Sequence, residues 1–429
     1  MANAEFIARN RWAFMVVALL WMGVWYAGVG ADWGQLRWAS TTTLEVVGGR
    51  WTAMSPAAGW LILGAPLVGG VALAHLNRTT AVVAAVVFAA ASAASMVHLV
   101  GGFEPHRVVY FWGAIWLLWL ALNLDRGDPG FVRDLRRVTA STVVMILFCG
   151  AVGRWTWGYW SGEILRNVHF AHSQGILFAV LRDILSEEAL EAVATIYSRG
   201  VVVAQTGVVL ALLFRFRIFA IAAGVVLVVG APVMGADSGG VVLLLGSLLV
   251  VTLFVGSSSN LEEDRQRSRR WSIWGVVAVH MICVLVAVVL SFYEPLQRVW
   301  LKEHHHSLEG VFPSVAIAFV PTMGTMEHRA PRLAIAAEPE QELDEVALRS
   351  CLRRGTPRWG IEPAWRRLMT PQCHQALVEV ESPLRIELHS RYRGTCVGSI
   401  FRATLGEESG SQALRVEQLE VVDSCSGFN

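Results

Sequence analysis

Lysine is almost missing from this chain. Of the 35 basic residues 34 are arginine, and Lys302 is the one lysine in 429 residues. Charge of either sign is scarce. Asp, Glu, Lys and Arg make up 16% of the residues, against about 25% in soluble globular chains. With 54% hydrophobic residues and a mean hydropathy of +0.49, this composition excludes an ordinary soluble domain. The net charge is +1 and no basic tract stands out, so there is no electrostatic footprint for nucleic acid. The chain lacks a Gly-rich phosphate loop, a G-x-S-x-G elbow, a C-x-x-C pair and an H-E-x-x-H helix. No A-x-A-type cleavage site follows the first apolar run, which is therefore expected to stay as a helix. No internal repeat is found.

What is present is a series of apolar runs, and bilayer crossings need about 18–20 such residues. Nine spans are expected, near 12–30, 58–76, 80–101, 107–124, 138–155, 199–214, 218–236, 240–256 and 272–292. Arginine then sets the orientation, because basic residues collect on the cytoplasmic side. Arg9 and Arg11 precede the first span, and Arg78 lies between the second and third. Arg126, Arg133, Arg136 and Arg137 lie between the fourth and fifth. Arg215 and Arg217 separate the sixth and seventh, and "EEDRQRSRR" (262–270) separates the eighth and ninth. Nine spans put all of these on one side, with Arg37, Arg50 and Arg182 as exceptions on the other. The N-terminus is thus expected inside and residues 293–429 outside. The arginine bias fits a GC-rich bacterial genome, and the expected location is the inner (cytoplasmic) membrane.

Cysteine usage points the same way. Cys149 and Cys283 fall within spans, whereas Cys351, Cys373, Cys396 and Cys425 fall in the tail. Four cysteines in a small extracytoplasmic domain predict two disulfides, and all three pairings stay open. "LRIELHSRYRG", "SIFRATLG" and "LRVEQLEVVDS" alternate apolar and polar residues between turn residues, which predicts strands. "AAEPEQELDE" reads as a linker into a short helix over 341–353. "SLEGVFPSVAIAFVPTMG", with Pro313 and Pro321, is too short to span and is expected on the membrane or under the tail. The expected fold is an all-α polytopic membrane bundle of about nine transmembrane helices, N-in and C-out, with a small extracytoplasmic β-rich C-terminal domain. Its parts are a transmembrane helical domain (1–292), a membrane-proximal linker (293–340) and a disulfide-bonded α+β domain (341–429).

Two outer loops are long. Residues 31–57 carry Trp33, Trp38 and Trp51. Residues 156–198 hold a segment with Ser186 as N-cap, Glu187 and Glu188 in the first turn, and Leu185 and Leu190 spaced as a staple. That segment predicts a short amphipathic interfacial helix ahead of the sixth span, its apolar stripe formed by Ala189, Leu190, Val193 and Ile196.

Ionisable groups gather at the outer face. His98 ends the third span, and Glu104, His106 and Arg107 precede the fourth. Arg154 ends the fifth, followed by Glu163, Arg166, His169 and His172. Such groups at the membrane point to function. His106 or His169 can take a proton near neutral pH. Arginine cannot, and holds an anion or carboxylate instead. The stretch "GRWTWGYWSGEILRNVHFAHS" (153–173) has two readings. Trp155, Trp157 and Trp160 form an interfacial belt, or the segment is the rim of a site. His280 sits mid-span and reads as a hydrogen-bonded core histidine. No metal site is expected, because the three consecutive His304, His305 and His306 cannot all point one way.

Three segments together resemble the HTTM (vitamin-K-dependent gamma-carboxylase-like) membrane family, which is distantly similar to DoxX-type proteins. "GGFEPHRVVYFWGAIWLLWLAL" is similar to the family's histidine-bearing turn before a helix, with His106 in the histidine's place. "GRWTWGYWSGE" resembles its K-L-x-x-x-W-x-x-G-E pattern. Arg154 stands on the lysine and Tyr159 on the Trp, while Gly162 and Glu163 match. "VVVAQTGVVLALLFRFRIFAIAAGVVL" is similar to its two-helix hairpin with a basic turn. The resemblance covers about residues 10–255. It implies a helical membrane domain and, as in the carboxylases, an extracytoplasmic β-rich domain. In the carboxylases the lysine is the implied base, and here it is replaced, so carboxylation by that route is not expected. The ionisable cluster, with the resemblance placing His106, Arg154 and Glu163 on family positions, gives catalytic candidates His106, Arg154, Glu163 and His169, with Arg154 as an anion clamp and His106 or His169 as base. Ligand-binding candidates are His98, Arg107, Trp157, Tyr159 and His172. The expected function is an outer-face intramembrane pocket for a lipophilic quinone- or lipid-like ligand, in a divergent or inactive carboxylase relative. The cofactor stays open, with a quinone or lipid as the candidate, and so does whether the chain is an enzyme. A second reading is a non-enzymatic accessory or scaffold subunit whose C-terminal domain docks a protein partner outside. A transporter ranks third, because the spans are nearly free of Asp, Glu and Lys.

Overall fold

The computed structural model describes residues 10–25, 43–46, 49–51, 56–75, 77–98, 105–124, 131–162, 181, 184–214, 218, 221–222, 224–225, 236–255, 270–305, 327–328, 332–335, 383–392, 395–408 and 411–422. The described part is mostly helical. Its helices are α1 (Asn10–Trp25), α2 (Pro56–His75), α3 (Arg78–His98), α4 (Pro105–Asn123), α5 (Phe131–Arg154), the single turn α6 (Trp157–Trp160), α7 (Glu187–Leu213), α8 (Ala236–Phe254), α9 (Arg270–Phe292) and α10 (Glu294–His305). Among the described residues three helical segments are long and apolar enough to cross a membrane: Phe131–Arg154, Glu188–Leu213 and Ile273–Phe292. Five shorter apolar helical segments accompany them.

Helix starts follow local chemistry. Asn77 Oδ1 accepts the Thr79 N–H at 2.9 Å and starts α3. Ser186 Oγ accepts the Ala189 N–H at 3.4 Å and starts α7, as its N-cap position predicts. The structure corrects the expectation of a separate interfacial helix ahead of the sixth span. α7 runs unbroken from Glu187 to Leu213. Gly200 and Gly207 are the weakest helix formers along it, and each costs only about 1 kcal/mol.

Cross-helix contacts fix the direction in which each helix runs. On α4 and α5, Trp116 Nε1 donates to Thr139 Oγ1 at 2.8 Å, and Trp119 stacks on Phe131. One series rises while the other falls, so the two helices are antiparallel. On α5 and α9, Ser141 Oγ meets His280 Nδ1 at 2.9 Å, and Cys149 Sγ lies 3.8 Å from the Cys283 carbonyl. Both series rise together, so these helices are parallel. Trp12 meets Phe254, and Trp21 Nε1 donates to Ser247 Oγ at 2.9 Å, so α1 and α8 are antiparallel. Arg136 Nε donates to the Thr252 carbonyl at 3.1 Å, joining the start of α5 to the end of α8. Hence α1, α5 and α9 all start at one end of the bundle and finish at the other. His280 is buried against Ser141 and the edge of Trp112, a hydrogen-bonded core histidine.

The core centres on Trp21, which is fully buried and packs against Phe88 and Trp116 with ring centroids 5.3 and 6.3 Å away. α2 approaches this ring through Gly69 and Gly70. A Cβ on Gly69 would overlap the Trp21 six-membered ring, whereas a Cβ on Gly64 would meet nothing within 4 Å.

The described strands form one sheet in the order β2-β1-β7-β6-β5-β3, with β4 also pairing β5. They are β1 (Thr43–Val46), β2 (Gly49–Trp51), β3 (Glu327–His328), β4 (Arg332–Ile335), β5 (Leu384–Tyr392), β6 (Thr395–Glu408) and β7 (Ser411–Val422). β5, β6 and β7 lie on the three alternating segments and pair antiparallel, with a bulge between Ile400 and Phe401. β1 pairs parallel to β7 in the register Thr43 to Ala413 through Val46 to Val416. The sheet therefore takes strands from the loop 31–57 and from 327–335 as well as from the tail. α10 follows directly on α9 and packs against β5 and β6, which sets the sheet at the end of the bundle where α9 finishes. The segment with Pro313 and Pro321, residues 341–350 and Cys351, Cys373 and Cys425 lie outside the described residues, and Cys396 lies in β6.

Gly69→Ala is expected to destabilise the protein by about 1–3 kcal/mol, the usual range for overpacking a filled site. Gly64→Ala should leave stability unchanged or slightly raised. Thermal melts of the two variants in detergent check this pair.

Candidate functional site

α5 ends at Arg154, and the exposed carbonyls of a helix C-terminus favour a cation there. The chain then turns sharply. Thr156 is extended, and its Oγ1 accepts the Tyr159 N–H at 3.3 Å, capping the single turn α6. Ser161 N donates to the Trp157 carbonyl at 2.8 Å, and Ser161 Oγ donates to the Gly158 carbonyl at 3.1 Å. Gly162 closes the turn at φ +82°, in the left-handed region where glycine is favoured. A Cβ at Gly162 would also meet the Thr195 backbone at 2.6 Å.

One face of α7 holds this turn in place. Thr195 Oγ1 donates to the Ser161 carbonyl at 2.7 Å. Ser198 Oγ donates to the Tyr159 carbonyl, and Arg199 Nε to the Trp160 carbonyl at 3.1 Å. The Arg199 guanidinium also lies over the Trp160 ring, 5.3 Å from its centroid. Positions 195, 198 and 199 are spaced three and four apart, so they share one face of α7. They satisfy the carbonyls at the end of α6, which has no further turn of its own to do so.

The clamp sorts "RWTWGYWSG" into two sets. Trp155, Trp157 and Trp160 face outward, with Trp157 78% exposed, as an interfacial belt requires. Arg154 and Tyr159 face inward, 6% and 0% exposed. The Arg154 guanidinium carbon lies 5.4 Å from the Tyr159 ring centroid, a cation–π contact. Tyr197 packs on the same cluster with Ala194 and Val202. The Tyr159 hydroxyl is buried and has no hydrogen-bond partner among the described residues. Burial pushes its phenol above the ordinary value of 10, and the nearby Arg154 charge pulls it part of the way back. At neutral pH this group is a hydrogen-bond donor.

Of the nine sequence candidates, Arg154 and Tyr159 are in contact, and Trp157 lies on the outside of the same turn. His98 ends α3, and His106 and Arg107 lie in the first turn of α4. Since α4 is antiparallel to α5, its first turn is at the same end of the bundle as Arg154. The side chains of His98, His106 and Arg107 lie outside the described residues, as do Glu163, His169 and His172 entirely. The structure adds Tyr197, Ser198 and Gln205 of α7. Ala194, Ser198, Val201, Val202, Gln205, Val208 and Val209 are all buried and recur at helical spacing. The polar residues on that stripe were the available signal. The chain matches no protein-family model, no curated protein and no solved structure.

Unfolding frees Tyr159 to ionise at its ordinary pKa. Its contribution is therefore fully present below about pH 10 and is lost as pH rises toward the raised folded value. Between pH 9 and 11 the wild type should lose stability relative to Tyr159→Phe, at up to about 1.4 kcal/mol per pH unit. Melts of both proteins across that range check it; parallel curves would contradict the buried, neutral phenol.

Proposed function

We propose that this chain is an integral protein of the inner membrane with nine helical crossings, its N-terminus inside and residues 293–429 outside. On this reading the sheet belongs to a disulfide-bonded extracytoplasmic domain. The parallel ladder between β1 and β7 supports it. An open sheet cannot pass through lipid, so residues 43–46 and 413–416 lie on one side of the membrane. The chain between them crosses an even number of times, and α1 adds one crossing before them.

At the outer face, a pocket bounded by α5, α6, α7 and the first turn of α4 holds a lipophilic quinone- or lipid-like ligand. The observation that carries this reading is the burial of Arg154 against the Tyr159 ring beside an exposed tryptophan rim. A cation kept inside a bundle at the end of a membrane-length helix is costly, and such residues mark sites. In this pocket Arg154 is a permanent cation that attracts an anion or polarises a carbonyl, and Tyr159 donates a hydrogen bond. Neither residue is a base at neutral pH. A proton acceptor would come from His106 or His169. The chain is read as a divergent HTTM-like protein without the lysine of the carboxylases.

The test is binding of a short-chain benzoquinone and of defined phospholipids to the purified full-length protein, read by quenching of tryptophan fluorescence. Arg154→Gln is expected to weaken the preferred ligand at least tenfold, and His106→Ala to weaken it measurably. Unchanged binding in both variants would remove the reading. A phenotype that depends on the tail but not on Arg154 would favour the scaffold reading instead.

A further inference from the structure

We infer that the ligand of this site is a phospholipid whose head carries both a phosphate and a hydrogen-bond donor, and that Gln205 reads the donor. The inference rests on the proposed outer-face pocket and narrows its ligand class. Gln205 is 6% exposed, and its Oε1 is buried with no hydrogen-bond partner among the described residues. It follows Ser198 by seven residues, two turns along the same buried stripe of α7. Ser198 bonds the Tyr159 carbonyl, so that stripe faces α6. The next residue, Thr206, accepts the Trp155 indole N–H at 3.3 Å. This contact sets the Gln205 turn alongside the residue that follows Arg154.

The corner of α5, α6 and α7 therefore holds two unmatched polar groups. The Tyr159 hydroxyl can donate as well as accept, whereas Gln205 Oε1 only accepts, and the two do not bond each other. Buried polar atoms without partners are uncommon in folded proteins, and each such case calls for an explanation. A neutral ring carbonyl could answer only the donor. A head with an anionic oxygen and an N–H or O–H answers both, and its phosphate also suits the Arg154 guanidinium. The depth fits as well. Trp155, Trp157 and Trp160 are exposed around this corner, and tryptophan settles at the headgroup level of a bilayer. Phosphoethanolamine and phosphoglycerol heads carry the donor. Phosphocholine carries the same phosphate without it.

The test is native mass spectrometry of the delipidated full-length protein, titrated with phosphatidylethanolamine, phosphatidylglycerol and phosphatidylcholine of matched acyl chains. At least one of the first two is expected to bind ten times tighter than phosphatidylcholine. Gln205→Leu should reduce that preference to within about twofold, while Arg154→Gln should weaken all three lipids. Gln205→Leu removes an unmatched acceptor, so its melting temperature in the lipid-free state should hold or rise. A lower one would make Gln205 structural and overturn the inference. Equal binding of phosphatidylcholine, or a preference that survives Gln205→Leu, would also overturn it. If a short-chain benzoquinone alone binds in an Arg154-dependent way, the headgroup inference fails while the pocket stands. If neither lipid nor quinone binding depends on Arg154, the pocket reading fails too.

Discussion

The parallel pairing of β1 with β7 constrains everything else in this molecule. It joins a short segment near the start of the chain to one near its end. On the proposed topology, the backbone hydrogen bonds of an open sheet cannot be left facing lipid, which places both segments in water on the same side. The helix directions agree with that placement without depending on it. α1, which leads toward β1, and α9, which leads through α10 to the sheet, finish at the same end of the bundle. α5 finishes there too, and the sheet and Arg154 therefore share a face.

At that face the clamp between α6 and α7 decides what is exposed. A single helical turn leaves its last carbonyls short of helical partners, and Thr195, Ser198 and Arg199 of α7 bond those of Ser161, Tyr159 and Trp160. With the backbone held this way, three tryptophans face outward and Tyr159 turns in under Arg154. One stretch thus carries an outward set, Trp155, Trp157 and Trp160, and an inward pair, Arg154 and Tyr159.

Much of the architecture was legible in the sequence because it is local. The apolar runs marked the helices, Ser186 marked the start of α7, and alternation marked β5, β6 and β7. The parts that were missed depend on distant partners. The β-branched run around Thr43–Val46 is a short local strand signal that was passed over inside a long loop, and its ladder partner lies near the other end of the chain. α7 read as two pieces, an amphipathic segment in the loop 156–198 and a span from 199, and Ser198 and Arg199 lie at the join. Their polar groups are in fact spent on carbonyls of α6, which no local pattern reveals. Arg154 stood out as a charge at the end of an apolar run, and Tyr159 was identified through a family resemblance. Gln205 was passed over because a lone amide in an apolar span has no motif around it.

The most direct test of the shared face uses single cysteines at positions 43 and 413, probed in intact cells with a membrane-impermeant maleimide. Labelling is compared with that of the parent protein, which has its own tail cysteines. The account predicts that both positions label from outside without permeabilisation, and that the double variant forms a 43–413 crosslink under mild oxidation. Labelling of either position only after the membrane is opened would contradict it.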